Sequence, residues 1–155
     1  MAYFEAPKLT FTFDLELVVE KAHLPGKTPI GNRRIIRIES GYFNGEQVTG
    51  EVIPGGDDWI TVREDGTIIQ DVRILLRTDD DELIMMSYRG IRTGSRDVLA
   101  RLDNGEEVDP GEYYFRTNPI FETASKKYDW MNKKVFVSTG QRLASGVRYS
   151  VYQID

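Results

Sequence analysis

The sequence predicts an all-β fold, a single antiparallel barrel of roughly nine or ten strands. Three observations predict it. Apolar and polar residues alternate through Leu9–Val19, the dipeptides Asn44-Gly45 and Asp65-Gly66 each sit between runs rich in Val, Ile and Thr, and no segment keeps an apolar period near 3.6 residues.

Each element follows from these signals. In Leu9–Val19 the odd positions Leu9, Phe11, Phe13, Leu15, Leu17 and Val19 alternate with Thr10, Thr12, Asp14 and Glu16, which describes a strand with one buried face. Pro25-Gly26 and Pro29-Ile30-Gly31 then punctuate a loop. Arg33–Tyr42 and Glu46–Ile53 form a hairpin across Asn44-Gly45, and Asp58–Arg63 and Thr67–Thr78 form another across Asp65-Gly66, because both dipeptides suit the positive φ values of a primed turn. Leu83–Tyr88, Glu112–Thr117, Lys134–Ser138 and Val147–Ile154 supply the remaining strands. Gly94–Arg101 and Thr123–Asn132 are the only candidates for helix, a turn or two each. Successive hairpins need no crossover connection, so a meander closing into a barrel disposes of the sheet edges; a sandwich is the alternative.

Composition narrows the function classes. A chain of 155 residues without a linker-like tract is read as one domain, residues 1–155. It has no cysteine, which removes thiol nucleophiles and thiolate metal sites, and one histidine, His23, so neither a triad nor a multi-histidine metal site can be assembled. A net charge of −5 with interspersed signs offers no basic stripe for nucleic acid. No run approaches the roughly 18 apolar residues of a membrane helix, and the first residues lack a basic segment followed by an apolar one, so a cytoplasmic location is expected. No phosphate-binding or dinucleotide fingerprint is present, and no cofactor is expected. The acidic run Asp79-Asp80-Asp81-Glu82 lacks the alternating ligand spacing of a calcium loop and reads as a charged hairpin turn.

The candidate chemistry lies between Gly55 and Gly90. Asp71 and Arg73, two apart in a strand, share a face with Leu75 and Arg77, whereas Val72, Ile74 and Leu76 take the other. Two readings stay open. Either the aliphatic face is core and Asp71 with Arg73 faces water, or the polar face lines a barrel lumen, with Asp71 as general base and Arg73 holding a carboxylate or enolate. In the second reading the aliphatic face must be covered, which motivates a homodimer. Asp58 and Trp59 follow Gly55-Gly56, as a structural corner or as a pocket mouth. The aromatic residues of the last third, Tyr114 and Trp130 among them, suit core filling or a cavity for an aromatic or carbonyl ligand.

Several segments in order, Gly26-Lys27-Thr28-Pro29-Ile30-Gly31-Asn32-Arg33, Pro54-Gly55-Gly56-Asp57-Asp58-Trp59, Asp71-Val72-Arg73, Tyr113-Tyr114-Phe115-Arg116-Thr117, Pro119-Ile120-Phe121-Glu122-Thr123 and Tyr128-Asp129-Trp130-Met131-Asn132, resemble the domain-of-unknown-function family 3237. The resemblance spans nearly the whole chain and implies an antiparallel β-barrel, similar in outline to lipocalins and allene oxide cyclases, with a lumen for a small molecule. It implies no settled activity. Arg33, Asp58, Trp59, Asp71, Arg73, Arg116 and Trp130 fall on its motif residues, while Asp81 stands where the family pattern more often has glycine. The expectation that follows is a cofactor-independent isomerase, cyclase or lyase for an aromatic or carbonyl-bearing compound. Asp71 would be its acid/base, Arg73 and Arg33 would stabilise negative charge, and Trp59, Tyr88, Tyr114 and Trp130 would shape the pocket. A non-catalytic carrier or sensor of hydrophobic small molecules is the alternative, and a structural β-domain with a packed lumen a third.

Overall fold

The alternation in β1 (Leu9–Val19) sends Phe13, Leu15 and Leu17 to the interior, each at most 1% exposed, and leaves Asp14 outside. The computed structural model describes residues 1–155. After β1 come β2 (His23–Thr28), β3 (Gly31–Asn44), β4 (Thr49–Val62), β5 (Ile68–Thr78) and β6 (Leu83–Thr93). A helix α1 (Arg96–Asp103), β7 (Tyr114–Glu122), β8 (Val135–Arg142) and β9 (Gly146–Ile154) complete the chain, with short 3-10 turns at Pro110–Glu112 and Asp129–Lys133.

All nine strands lie in one antiparallel sheet in the order β1-β9-β8-β7-β6-β5-β4-β3-β2, and β1 also pairs with β3. That last pairing closes an eight-stranded barrel and leaves β2 outside the ring. The length of β3 makes this possible: its residues Ile38–Asn44 serve β1, while Gly31–Ile35 serve β2 on the same edge. Pro25-Gly26 interrupts any alternation and predicts a loop, yet residues 23–28 form β2, and a register irregularity between His23 and Gly26 accommodates both residues.

Two expected strands are one. Glu46–Ile53 and Asp58–Arg63 merge into β4, whose register against β5 shifts between Ile53 and Asp57. Gly55 sits there at φ +114°, and a Cβ on Gly56 would stand 2.4 Å from the Arg73 carbonyl oxygen, so the two glycines permit a bulge that other residues would block. Beyond the bulge Asp58 lies opposite Val72, and Asp57 opposite Arg73. Cross-strand partners share a face, and Val72 is fully buried. Asp58 therefore points inward, and Asp71 and Arg73 point out.

The interior has two ends. Phe13, Phe43, Phe121 and Phe136 fill one with tilted and edge-on ring contacts, their centroids 4.8 Å apart for Phe121–Phe136 and 5.5 Å for Phe13–Phe43. At the other end α1, capped by Ser95 accepting the Val98 amide at 3.2 Å, lays Leu102 against the lumen. Val72, Ile74 and Leu76 are inside the barrel, so they form no dimer face; the exposed apolar side chains of the outer surface include Met85, Ile120 and Val135. The acidic run is a hairpin turn, with Asp80 accepting from Thr78 at 2.6 Å, Tyr128 at 2.7 Å and Lys127 at 2.6 Å. No helix is long and apolar enough to cross a membrane.

Two stability changes follow from this packing. Leu76→Ala, emptying a position with no exposed surface, should cost about 2–5 kcal/mol in urea unfolding. Asp81, at φ +65° the one non-glycine residue with left-handed backbone, should gain stability as Asp81→Gly, by somewhat under about 1 kcal/mol in the same measurement.

Candidate active site

Each inward face carries an apolar ladder broken by one or two polar residues. On β5 the ladder is Ile68, Gln70, Val72, Ile74 and Leu76; on β6 it is Ile84, Met86, Tyr88, Gly90 and Arg92. Asp58 of β4 and Tyr149 of β9 interrupt theirs in the same way. Asp58, Gln70, Tyr88 and Arg92 line a cavity of about 400 Å³ that opens at the α1 end, and Tyr149 lies behind them. Leu17, Ile36, Ile38, Ile60 and Val147 form apolar walls, and Arg34, Arg92 and Arg142 add cationic groups.

The floor is a hydrogen-bonded chain. The Asp58 carboxylate accepts the Asp71 backbone N–H at 3.2 Å on one oxygen and the Gln70 amide N–H at 3.3 Å on the other. Gln70 Nε2 also donates to the Tyr149 hydroxyl at 3.1 Å, and the Tyr88 and Tyr149 hydroxyls are 3.1 Å apart. Tyr88 is the donor in that pair, so its proton is committed to Tyr149, and the unengaged proton is that of Tyr149, whose hydroxyl lies behind the cavity lining. The Gln70 Oε1 and Arg92 Nε atoms are buried without a hydrogen-bond partner in the protein.

Burial dominates the electrostatics. It pushes the Asp58 carboxyl up to about 6, against the opposing pull of the Asp71 N–H, Gln70 and Arg92. Both tyrosine hydroxyls are raised, chiefly by burial, and stay protonated. Arg92, 8% exposed, has its guanidinium carbon 5.7 Å from the Phe115 ring centroid, and burial, followed by the charge of Arg142, pulls its pKa down. At the mouth Arg34 meets Asp103 of α1 at 3.3 Å.

Of the residues singled out from the sequence, Asp58 and Tyr88 line this cavity. The proposed catalytic pair does not. Asp71 and Arg73 are exposed on the outer face, where Asp71 lies 3.9 Å from Arg89, so the reading of a polar lumen face on β5 is corrected: its aliphatic side is the inner one. Trp59, half exposed, joins Asp71 and Arg73 in a shallow outer depression. Arg33 alternates with the lumen-lining Arg34 and donates its Nε proton to the Ile60 carbonyl at 3.2 Å outside the cavity. Tyr114 and Arg116 are exposed and stack on each other at 5.1 Å, and Trp130 packs on Phe136 at 6.3 Å, at the filled end. Gln70, Arg92, Tyr149, Arg34 and Arg142 were missed. For Gln70 the signal was present, a polar residue alone on an otherwise aliphatic face.

The sequence matches the family described as "Protein of unknown function (DUF3237)" over residues 7–154. It is 41% identical to a UPF0311 protein of Clostridium acetobutylicum over 92% of this chain and 91% of that one, and 40% identical to a UPF0311 protein of Bradyrhizobium diazoefficiens over 83% and 84%. Among solved structures, a conserved protein of unknown function from Rhodopseudomonas palustris superposes with a TM-score of 0.95 at 32% identity, covering 98% of this chain and all of that one. A protein from Acinetobacter baumannii described as beta-barrel like gives 0.83 at 35%, covering 98% and 99%. A protein from Penicillium herquei described as an enzyme shares the fold, with a TM-score of 0.76 at 22% identity and coverage of 100% and 99%.

The raised Asp58 pKa sets a pH signature. The folded state binds the proton more tightly than the unfolded chain, whose carboxyl titrates near 3.8, so Asp58 lowers stability as pH rises from about 4 to about 6 and the full penalty persists above. Its size is on the order of 3 kcal/mol. Asp58→Asn, which cannot ionise, should match the wild type near pH 4 and exceed it by roughly that amount near pH 8 in urea unfolding.

Proposed function

The chain belongs to the DUF3237 family of proteins of unknown function, and from its lumen we propose a cofactor-independent acid/base enzyme, an isomerase, cyclase or lyase, for a small carbonyl-bearing, partly aromatic compound. One observation carries the reading: a buried carboxyl, pushed up to about 6, stands in a ligand-sized cavity with the hydroxyl-bearing Tyr88 in the same lining.

The chemistry follows from that pairing. The Asp58 carboxylate takes a proton from carbon next to the carbonyl, and Tyr88, which lines the cavity, turns its hydroxyl proton from Tyr149 to the carbonyl oxygen as that oxygen gains negative charge. Returning the same proton from Asp58 to another atom of the enolate completes an isomerisation with no net loss of atoms. Gln70 acts as a positioning residue, since it ties the carboxylate to Tyr149 and fixes the distance between base and hydroxyl. The aliphatic walls exclude water, which strengthens these polar contacts.

A carrier of hydrophobic compounds needs the walls but not the floor. An apolar residue at position 58 would serve it without the desolvation penalty, so the polar chain favours catalysis over carriage. A cytoplasmic location belongs to the same proposal.

The test is deuterium incorporation from D2O into 2-tetralone and phenylpyruvate, followed by proton NMR. The wild type should exchange at least one of them above the buffer rate, rising with pH through about 6 as Asp58 ionises. Asp58→Asn should slow exchange by about 100-fold or more, and the outer-face change Asp71→Asn should leave it within about twofold. Exchange of neither probe, or equal rates in wild type and Asp58→Asn, would overturn the assignment.

A further inference from the structure

The cavity holds a buried positive charge that no protein group contacts by a hydrogen bond or ion pair. Arg92 lines it, is more than nine-tenths buried, and takes part in no hydrogen bond or ion pair; its Nε is without any partner. The Phe115 face supports its charge, and Asp103 and Asp58 do so through their fields alone, without contact. Arg142, half-buried on the same wall, is fixed by donating from Nη1 to the Gly146 carbonyl at 2.9 Å and from its amide to the Tyr113 hydroxyl at 2.9 Å, and it too lacks a carboxylate partner. The two guanidinium groups repel, each inside a space that excludes most water.

Of the three carboxylates lining the cavity, Glu20 is exposed and contacts neither arginine, and the other two are committed elsewhere. Asp103 is paired with Arg34 at the mouth, and both Asp58 oxygens accept from Gln70 and the Asp71 amide. A buried cation with no carboxylate in contact is destabilising relative to a paired one, and a chain with a net charge of −5 does not lack carboxylates to place against it. A cation left free at this cost is a binding group for a charge that arrives from outside.

Building on the reading of the lumen as a substrate site, we propose that its ligand is an anion, a carboxylate or an ionised enol or phenol on an apolar body, with the negative group held by Arg92 and Arg142. The forked donors of arginine suit two-oxygen groups. The apolar body then lies along Ile36, Ile38 and Ile60, which directs its uncharged part toward Asp58.

Calorimetric titration with 2-naphthoate and its neutral counterpart 2-naphthamide at pH 7.5 tests this. The wild type should bind naphthoate at least tenfold tighter than the amide. Arg92→Met should abolish that preference while leaving naphthamide binding unchanged, and Arg92→Lys should retain part of it. If Arg92→Met does not fold, Arg142→Gln, at a half-buried position, should still weaken naphthoate severalfold and spare the amide. Equal binding of the two probes by the wild type, binding of neither, or a preference that survives in the methionine or glutamine variant would overturn the proposal. Any of these could occur with Asp58-dependent exchange of 2-tetralone intact, and loss of that exchange could occur with the naphthoate preference intact, so the two readings fail separately.

Discussion

Pairing of β1 with β9 on one edge and β3 on the other closes the sheet, and closure gives every strand one face cut off from water. Had β1 paired on one side only, the sheet would be open, and Asp58, Gln70, Tyr88 and Arg92 would lie on a face that solvent could reach. Once closed, the barrel forces each inward side chain to be apolar, hydrogen-bonded or engaged by something that enters. The phenylalanine cluster meets the first condition at one end, and the chain from Asp58 to Tyr88 meets the second. Arg92 meets neither from within the protein.

The same closure sets a conflict between stability and site. Asp58 stays ionised at neutral pH only against a desolvation penalty, which the Asp71 amide, Gln70 and Arg92 offset in part. Packing elsewhere carries the remainder, and the filled aromatic end also gives the cavity a fixed floor. The Gly55-Gly56 bulge is coupled to this: it takes up the extra residues of β4 without changing which face Asp58 occupies.

Much of the fold was legible because period-two patterns and turn dipeptides act locally. Residues 9–19 form a strand, though a register shift between Phe11 and Phe13 leaves Leu9 and Phe11 exposed. Both hairpins form where expected but without primed turns, since of the four turn residues only Gly66 has positive φ and Asn44 pairs with Thr49. The strand running to Thr78 keeps Asp71 and Arg73 on one face. Which face was inner was harder, because a functional polar lumen and a solvated polar surface write the same alternation. Gln70 could have decided it, since Ile68, Gln70, Val72, Ile74 and Leu76 form an aliphatic ladder too long to leave exposed. Tyr149 and Arg142 could not be found this way. They reach the site through the meeting of β9 with β1, a contact between the two ends of the chain that no local pattern encodes.

The charges in the lumen are also linked to one another. Arg92 lowers the Asp58 pKa through its field, so an anion that neutralises Arg92 removes part of that support and leaves Asp58 more basic than in the empty site. For the proposed acid/base reaction, binding would strengthen the base when a proton is to be taken, coupling the wall to the floor. A carboxyl near 6 that is raised further by its own ligand also keeps a protonated fraction at neutral pH, which suits a group that must return the proton it removed. The free charge on Arg92 and the strained charge on Asp58 are thus two sides of one arrangement, each understandable only when the other is occupied.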